Sequence, residues 1–220
     1  MFSEATMNMF MVGLAETLYM VLVSTAAAYI IGLPLGLALV ISEESPRPVI
    51  RTINKALGLI VNLLRSVPFL ILMMALNPFT RMVVGTTIGP NAAAVALVVA
   101  SAPFIARLVE SSIKEVDKGV IEAAHSMGAS MPQIITKVLL PEARPSLLVG
   151  AAIAVTTILS YSAMAGIIGG GGLGDIAIRY GYYRYQFDVM LVTMILLVIL
   201  VQVLQEIGMK LAKVLDKRIN

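Results

Sequence analysis

The sequence has no cysteine, one histidine and few charged residues. The absence of cysteine excludes disulfides, thiolate metal sites and a cysteine nucleophile. The lone histidine, His125, cannot form a metal site by itself, because metal binding needs several ligands. Charged residues make up 13% of the chain and hydrophobic residues 59%, against about 25% and 45–50% in typical soluble domains. A soluble protein of 220 residues would leave much of this apolar surface in water, so we expect an integral membrane protein.

The charge balance gives no support for nucleic-acid binding. The 16 Lys and Arg residues exceed the 13 Asp and Glu residues by three, and the basic residues lie between apolar runs instead of forming a patch. The N-terminal residues lack the basic stretch of a cleavable signal peptide, and the first apolar run is too long for one. We therefore expect this run to remain as a membrane helix.

Five apolar segments are long enough to cross a bilayer. A helix rises 1.5 Å per residue, so about 20 mostly apolar residues cross roughly 30 Å of hydrocarbon. The predicted spans are residues 17–41, 57–76, 92–109, 147–168 and 189–207. The sequence thus predicts an all-α fold, with one transmembrane domain over residues 1–220.

The distribution of Lys and Arg predicts the orientation, since these residues concentrate in cytoplasmic segments. The segments after spans one, three and five contain twelve of them: Arg47, Arg51, Lys55, Arg107, Lys114, Lys118, Lys137, Arg144, Lys210, Lys213, Lys217 and Arg218. The N-terminus has none, and the remaining loops contain Arg81, Arg179 and Arg184. We therefore predict an N-terminus outside and a C-terminus inside, which requires an odd number of spans.

The longest polar segment inside the chain, residues 110–146, lies between the third and fourth spans. Asp117 is a suitable N-cap for a helix over residues 118–127, and Gly128 suits the left-handed residue that ends it. Ser130 and Gln133 form a capping-box pattern for a second helix, which is expected to end before Pro141. The segment 117–141 is therefore predicted to be a cytoplasmic helical hairpin.

This hairpin contains a set of residues with characteristic spacing: Glu122, Ala123, Ala124, Gly128, Leu140 and Pro141. The set resembles the EAA signature of binding-protein-dependent ABC import permeases, with Val138 where isoleucine is usual. Independently of the resemblance, small alanines permit close approach to a partner, Glu122 supplies an anchoring charge, and Gly128 permits a sharp turn. The alternative is an ordinary amphipathic hairpin with no partner.

More of the chain resembles one branch of that family, the methionine import permeases. The segments that carry this resemblance are residues 65–69, 102–107, 161–166, 171–174 and 180–182. The resemblance implies a homodimer in the lipid of a bacterial inner membrane, two copies of a separate ATPase subunit, and an external substrate-binding protein or lipoprotein. The sequence has no P-loop motif, so we expect the partner subunit to bind ATP and Mg²⁺ and to hydrolyse the nucleotide, while this chain carries no cofactor.

Several residues within the predicted spans are candidates for a pathway or gate: Arg65, Ser66, Pro68, Pro103, Tyr161, Ser162 and Met164. Arg65 is a charge inside a span, which usually faces protein or water, and Glu110 is a possible partner. The prolines predict kinks, and the polar residues of span four suggest a pathway wall. Packing, interhelical hydrogen bonds or a position of Arg65 at the membrane boundary are the alternatives.

Two glycine patterns have structural explanations. Gly32 and Gly36 match the helix-packing pattern G-x-x-x-G, although such matches are frequent by chance in apolar sequence. The glycines at 169–172 predict a flexible or close-packed external turn.

We interpret the chain as a permease subunit that forms the pathway for L- or D-methionine, with another small amino acid as the alternative substrate. A secondary transporter is disfavoured, because no acidic residue is expected well inside a span. A membrane enzyme would need clustered catalytic groups. A scaffold that transports nothing would leave the kinked, partly polar spans unexplained.

Overall fold

The structure is a computed structural model that describes residues 3–43 and 45–215. Lys217 and Arg218, which enter the charge count above, lie outside the described residues. Helices dominate the described ranges, which contain no β-strand. The all-α prediction is therefore confirmed.

The helices are numbered in chain order. They are α1 (Glu4–Glu43), α2 (Pro48–Ser66), α3 (Phe69–Ala75), α4 (Asn77–Val84), α5 (Pro90–Lys114), α6 (Lys118–Ser126), α7 (Met131–Ile134), α8 (Leu140–Glu142), α9 (Arg144–Ala165), α10 (Gly172–Ile176) and α11 (Phe187–Leu215). Wider π-helical turns at Ile135–Leu139 and Ala177–Tyr182 follow α7 and α10, and a 3₁₀ turn at Gly166–Ile168 follows α9.

Four of the helical segments are long and apolar enough to cross a membrane: Glu4–Glu43, Pro90–Lys114, Arg144–Ile168 and Phe187–Val214. They contain the predicted spans 17–41, 92–109, 147–168 and 189–207. A fifth span is present if α2 and α3 count as one broken span. The first helix is much longer than its predicted span, and Glu16 lies within it. A helix of 40 residues is about twice as long as a bilayer requires, and Glu16 directly precedes the predicted span 17–41.

The second predicted span, residues 57–76, is not a straight helix. The axes of α2 and α3 differ by 102°. Between them, Val67 and Pro68 both have extended backbones, with ψ of 125° and 132°. Proline lacks an N–H and disfavours helical conformation in the preceding residue, so the chain breaks at this point.

The core lies along α5, which packs against α1 on one side and α9 on another. Gly32 and Gly36 allow the closest approach of α1 to α5. A Cβ on Gly36 would lie 2.5 Å from the carbonyl oxygen of Ala106, and one on Gly32 would lie 2.9 Å from that of Ala102. The G-x-x-x-G pattern is thus a packing contact within one chain.

Candidate functional site

The first helix of the predicted hairpin is α6, and its ends are as expected. The carboxylate of Asp117 accepts a hydrogen bond from the N–H of Gly119 at 2.7 Å. Gly128 has a φ of +79°, in the left-handed region. At the start of α7, the N–H and the hydroxyl of Ser130 lie 2.8 and 2.9 Å from Oε1 of Gln133. These local contacts confirm the predicted boundaries around the turn.

The sequence predicted that the second arm of the hairpin ends before Pro141. In the structure the arm continues past this residue. Helical backbone continues through the π-helical turn and α8, and Ala143 keeps helical dihedrals where α8 meets α9. Pro141 lies in the first turn of α8, where the missing N–H is tolerated. The arm and the membrane helix α9 therefore form a helical rod from Met131 to Ala165 that is interrupted by a turn at Ala143.

The two alanines of the signature differ in exposure, because adjacent residues point about 100° apart on a helix. Glu122 and Ala123 are exposed, whereas Ala124 is 4% exposed and packs into the core. Of the two alanines, Ala123 is therefore the one available to a partner. Gly128 and Pro141 are also exposed, and Leu140 is half-buried.

An apolar stripe on α6 was missed by the sequence analysis. Val120 and Met127 are 43% and 81% exposed, and together with Ala123 they follow the spacing i, i+3, i+7. Residues at this spacing share one face of a helix. The spacing was readable in the sequence, and it places Glu122 on a neighbouring face, about 100° around the helix from Ala123.

A charge network connects the ends of α1 and α5 with α2. Arg107 contacts Glu110 at 2.5 Å and donates to the carbonyl oxygen of Gly58 at 2.9 Å. Lys114 bridges Glu110 at 3.0 Å and Glu43 at 2.7 Å. Glu110 is 9% exposed, and a buried carboxylate is costly unless it is paired. Arg107 and Lys114 provide this pairing.

Arg65 does not pair with Glu110, so the suggested partnership was wrong. Arg65 is exposed on α2, one side of which also carries Arg51, Lys55 and Asn62. Their spacing places these four exposed residues along one stripe, while exposed apolar residues such as Leu63 cover other directions. Charged groups in membrane helices face protein or water. The stripe is therefore a candidate for the wall of a polar passage.

The break after α2 brings two candidate regions together. The rings of Phe69 and Tyr161 stack, with centroids 4.7 Å apart. Pro68 is exposed at the bend, and the hydroxyl of Ser66 donates to the carbonyl of Asn62 at 2.9 Å. The start of α3 therefore lies directly against α9.

The other candidates lie in different surroundings. Pro103 is buried in the core, and α5 continues through it. Ser162 is 1% exposed, and its hydroxyl donates to the carbonyl of Leu159 at 2.7 Å. Met164 is 44% exposed and lines an apolar groove of about 570 Å³ between α9 and α11. The structure thus brings Tyr161 to the α2–α3 break, but it does not gather all the candidates into one site.

Within residues 3–43 and 45–215, no cluster of three or more His, Asp or Glu residues could hold a metal ion. The prominent features are instead an exposed hairpin, a one-residue connection from its second arm to α9 and a broken second span. A model of the binding-protein-dependent transport system inner membrane component family matches residues 32–220. The chain belongs to this family. It is therefore an inner-membrane transport component, as the hairpin motif suggested.

Individual relatives confirm the resemblance to the methionine import permeases. The chain is 50% identical over 203 residues to the probable D-methionine transport system permease protein MetI of Vibrio cholerae, covering 92% of this chain and 90% of that protein. It is 48% identical over 168 residues to the methionine import system permease protein MetP of Bacillus subtilis, covering 76% of each.

A solved structure of inward-facing conformations of the MetNI methionine ABC transporter has the same fold. The TM-score is 0.94 at 43% identity, over 98% of this chain and 100% of that one. An amino acid ABC transporter solved with histidines shares the fold at 23% identity and a TM-score of 0.69.

Proposed function

We propose that this chain is the permease subunit of an ATP-driven importer of L- or D-methionine. The observation that carries the proposal is similarity to methionine permeases over nearly the whole chain, in sequence and in fold. The exposed hairpin fits a subunit that is driven by a partner, and the chain itself has no P-loop for ATP.

The proposed assembly contains two copies of this chain, two ATPase subunits that bind ATP and Mg²⁺, and an external binding protein. The match to a methionine ABC transporter supports the ATPase partners and the permease dimer. The Lys and Arg distribution supports an orientation with the hairpin in the cytoplasm and the N-terminus outside. In this orientation, α6 is available to a cytoplasmic ATPase.

The hairpin would couple the ATPase to the membrane through rigid contacts. The stripe formed by Val120, Ala123 and Met127 would enter an apolar groove of the ATPase. Glu122, on the neighbouring face of α6, would pair with a cation outside that groove. The left-handed turn at Gly128 joins this docked helix to the rod that runs into α9. Displacement of α6 would therefore move α9 without being absorbed by a long flexible loop.

The passage for the substrate would form where α2, α3 and α9 of two copies meet. The stack of Tyr161 and Phe69 joins α9 to α3, which directly follows α2. The stripe with Arg65 and Asn62 would face water in the passage, since exposed charges are costly in hydrocarbon. In this proposal, Met164 is an apolar residue at the outer end of α9 that can repack as the helix moves.

The test is uptake of radiolabelled L- and D-methionine by proteoliposomes that contain this chain, the ATPase and the binding protein. Uptake is expected only with ATP and all three proteins. Competition by other small amino acids tests the alternative substrates. Uptake that follows a proton gradient without ATP would indicate a secondary transporter and would overturn the proposal.

A further inference from the structure

The glycine turn, residues 169–172, and the start of α10 are hydrogen-bonded to two residues in the first half of α1. The N–H of Gly172 donates to Oε2 of Glu16 at 2.7 Å, and the N–H of Leu173 donates to Oγ1 of Thr17 at 2.9 Å. These N–H groups belong to the first turn of α10 and have no partner within that helix. Two adjacent side chains of α1 therefore cap α10 from a distant part of the sequence.

The turn has the shape that this contact requires. Gly171 and Gly172 have φ values of +81° and +75°, which favour glycine. A Cβ on Gly172 would lie 2.6 Å from Oγ1 of Thr17, and one on Gly171 would lie 2.9 Å from Oε2 of Glu16. Side chains at these positions would push the turn away from α1, so the glycines permit the contact.

The same region also fastens the beginning of α5. The N–H of Gly89 donates to the carbonyl oxygen of Gly169 at 2.8 Å. One turn along α1 from Glu16, the hydroxyl of Tyr19 lies 2.8 Å from Oδ1 of Asn91. We call the contacts of Glu16, Thr17 and Tyr19 the α1 clasp. The clasp joins α1 to the start of α5 and to the start of α10, directly after the glycine turn that follows α9.

Glu16 is an unusual residue for a purely structural cap. It lies in a long apolar helix, and among the described residues no Lys, Arg or His forms an ion pair with it. A hydrogen bond to a charged acceptor is roughly twice as strong as a neutral one, but a carboxylate that loses it needs water or another donor. The contact is therefore strong when closed and unfavourable when partly open, which suits a device with two discrete states.

We propose that Glu16 is a positioning residue of the permease. Its hydrogen bond to the N–H of Gly172 holds the glycine turn after α9, and with it Tyr161 and Met164 of α9, in the arrangement seen here. The hydrogen bond opens when α9 moves during transport. This inference rests on the proposed function, because it assigns the clasp a role in the coupling of ATP hydrolysis to methionine uptake.

The first test compares Glu16→Ala with Glu16→Gln in the complete complex. The alanine variant should transport about tenfold less methionine per ATP hydrolysed, the shift given by loss of one charge-assisted hydrogen bond. The glutamine variant keeps an amide oxygen that can accept from Gly172, so it should recover most of the coupling. Glu4→Ala, at the exposed start of the same helix, is the matched control and should behave as the wild type.

A second readout reports the position of the turn without relying on transport. The chain has no cysteine, so Ile167→Cys introduces one thiol in each copy of this chain, next to the turn. In the purified complex, labelling of this thiol should be faster with Glu16→Ala than with wild-type Glu16. Thr17→Val, which removes the second acceptor, should change the labelling rate in the same direction by less, and it provides a milder variant if Glu16→Ala does not fold.

The outcomes separate the two proposals. If folded Glu16→Ala has unchanged coupling and an unchanged labelling rate, the proposed role of Glu16 is overturned. It is also overturned if uptake and ATP hydrolysis fall equally while the labelling rate stays the same, because that result indicates a structural role alone. If the wild-type complex moves no methionine but Glu16→Ala still changes the labelling, the clasp holds the turn and the methionine assignment fails.

Discussion

The rings of Phe69 and Tyr161 are stacked with their planes 3° apart, although the two residues are far apart in the sequence. Phe69 is the first residue of α3, directly after the break in the second span, and it is 7% exposed. Tyr161 belongs to α9, the rod that continues from the hairpin. The stack is therefore a direct contact between the broken span and the helix that the hairpin would move.

We predict that this stack stabilises the arrangement of α3 and α9. Tyr161→Ala should lower the free energy of unfolding by about 1–2 kcal/mol and reduce uptake, since an aromatic pair contributes about 0.5–1.5 kcal/mol beyond the burial of its area. Tyr161→Phe keeps the ring and should remain close to the wild type in both measurements. If the phenylalanine variant loses as much uptake as the alanine variant, the hydroxyl and not the stack is the important group.

The break itself shows why part of the fold could not be predicted from the sequence. Pro68 was readable as a kink, because proline disturbs a helix wherever it lies. The 102° bend requires that both Val67 and Pro68 leave helical conformation, and it accompanies a contact of Phe69 with Tyr161 of α9 that sequence spacing does not reveal. In contrast, Asp117 and Gly128 end α6 through their own backbone preferences, so the hairpin boundaries were predictable.

Arg107 provides a second prediction, because it joins Glu110 to the backbone of α2. Arg107→Ala should destabilise the protein by about 1–2 kcal/mol, less than the roughly 3–5 kcal/mol for a buried charge left unpaired, because Lys114 still pairs with Glu110. Arg107→Lys can no longer reach both Glu110 and the Gly58 carbonyl and should have an intermediate effect. Thermal unfolding in detergent measures the change. Lys210→Ala, which removes an exposed ion pair with Glu206, is the control and should have little effect.

The Arg107 network was partly visible in the sequence. Arg107, Glu110 and Lys114 follow the spacing i, i+3, i+7, which places them on one helix face with opposite charges adjacent. Glu110 therefore pairs with Arg107 and Lys114 of its own helix and not with Arg65. The further contacts to Gly58 and Glu43 depend on how three helices pack, so sequence spacing could not reveal them.

The packing of α1 against α5 gives a third prediction, which compares two glycines. Gly36→Ala should destabilise the protein by about 2–3 kcal/mol, the upper part of the range for overpacking, because the added Cβ would meet a backbone carbonyl that cannot rotate away. On Gly58, an added Cβ would lie 3.4 Å from Nη2 of Arg107, a movable side-chain atom. Gly58→Ala should therefore be neutral or slightly stabilising. Equal losses in the two variants, measured by thermal unfolding, would contradict the tight α1–α5 contact.

The final prediction concerns the face of α6 that would meet the ATPase. Met127→Asp should weaken co-purification of the ATPase strongly, because it places a charge within the proposed apolar contact at its most exposed large side chain. Glu122→Lys should also weaken it, and more so at low ionic strength, because it reverses a charge at the edge of the contact. Both residues are exposed in the isolated chain, so membrane insertion and thermal stability should be unchanged.

Glu206→Lys is the matched control for Glu122→Lys, since it reverses an exposed charge on α11, away from the hairpin. The control should retain the ATPase. Normal co-purification of both hairpin variants would show that α6 is not the docking helix. Loss with Met127→Asp alone would keep the apolar stripe as the docking surface and remove Glu122 as its anchor. The variants therefore distinguish a contact driven by apolar burial from one that depends on the signature glutamate.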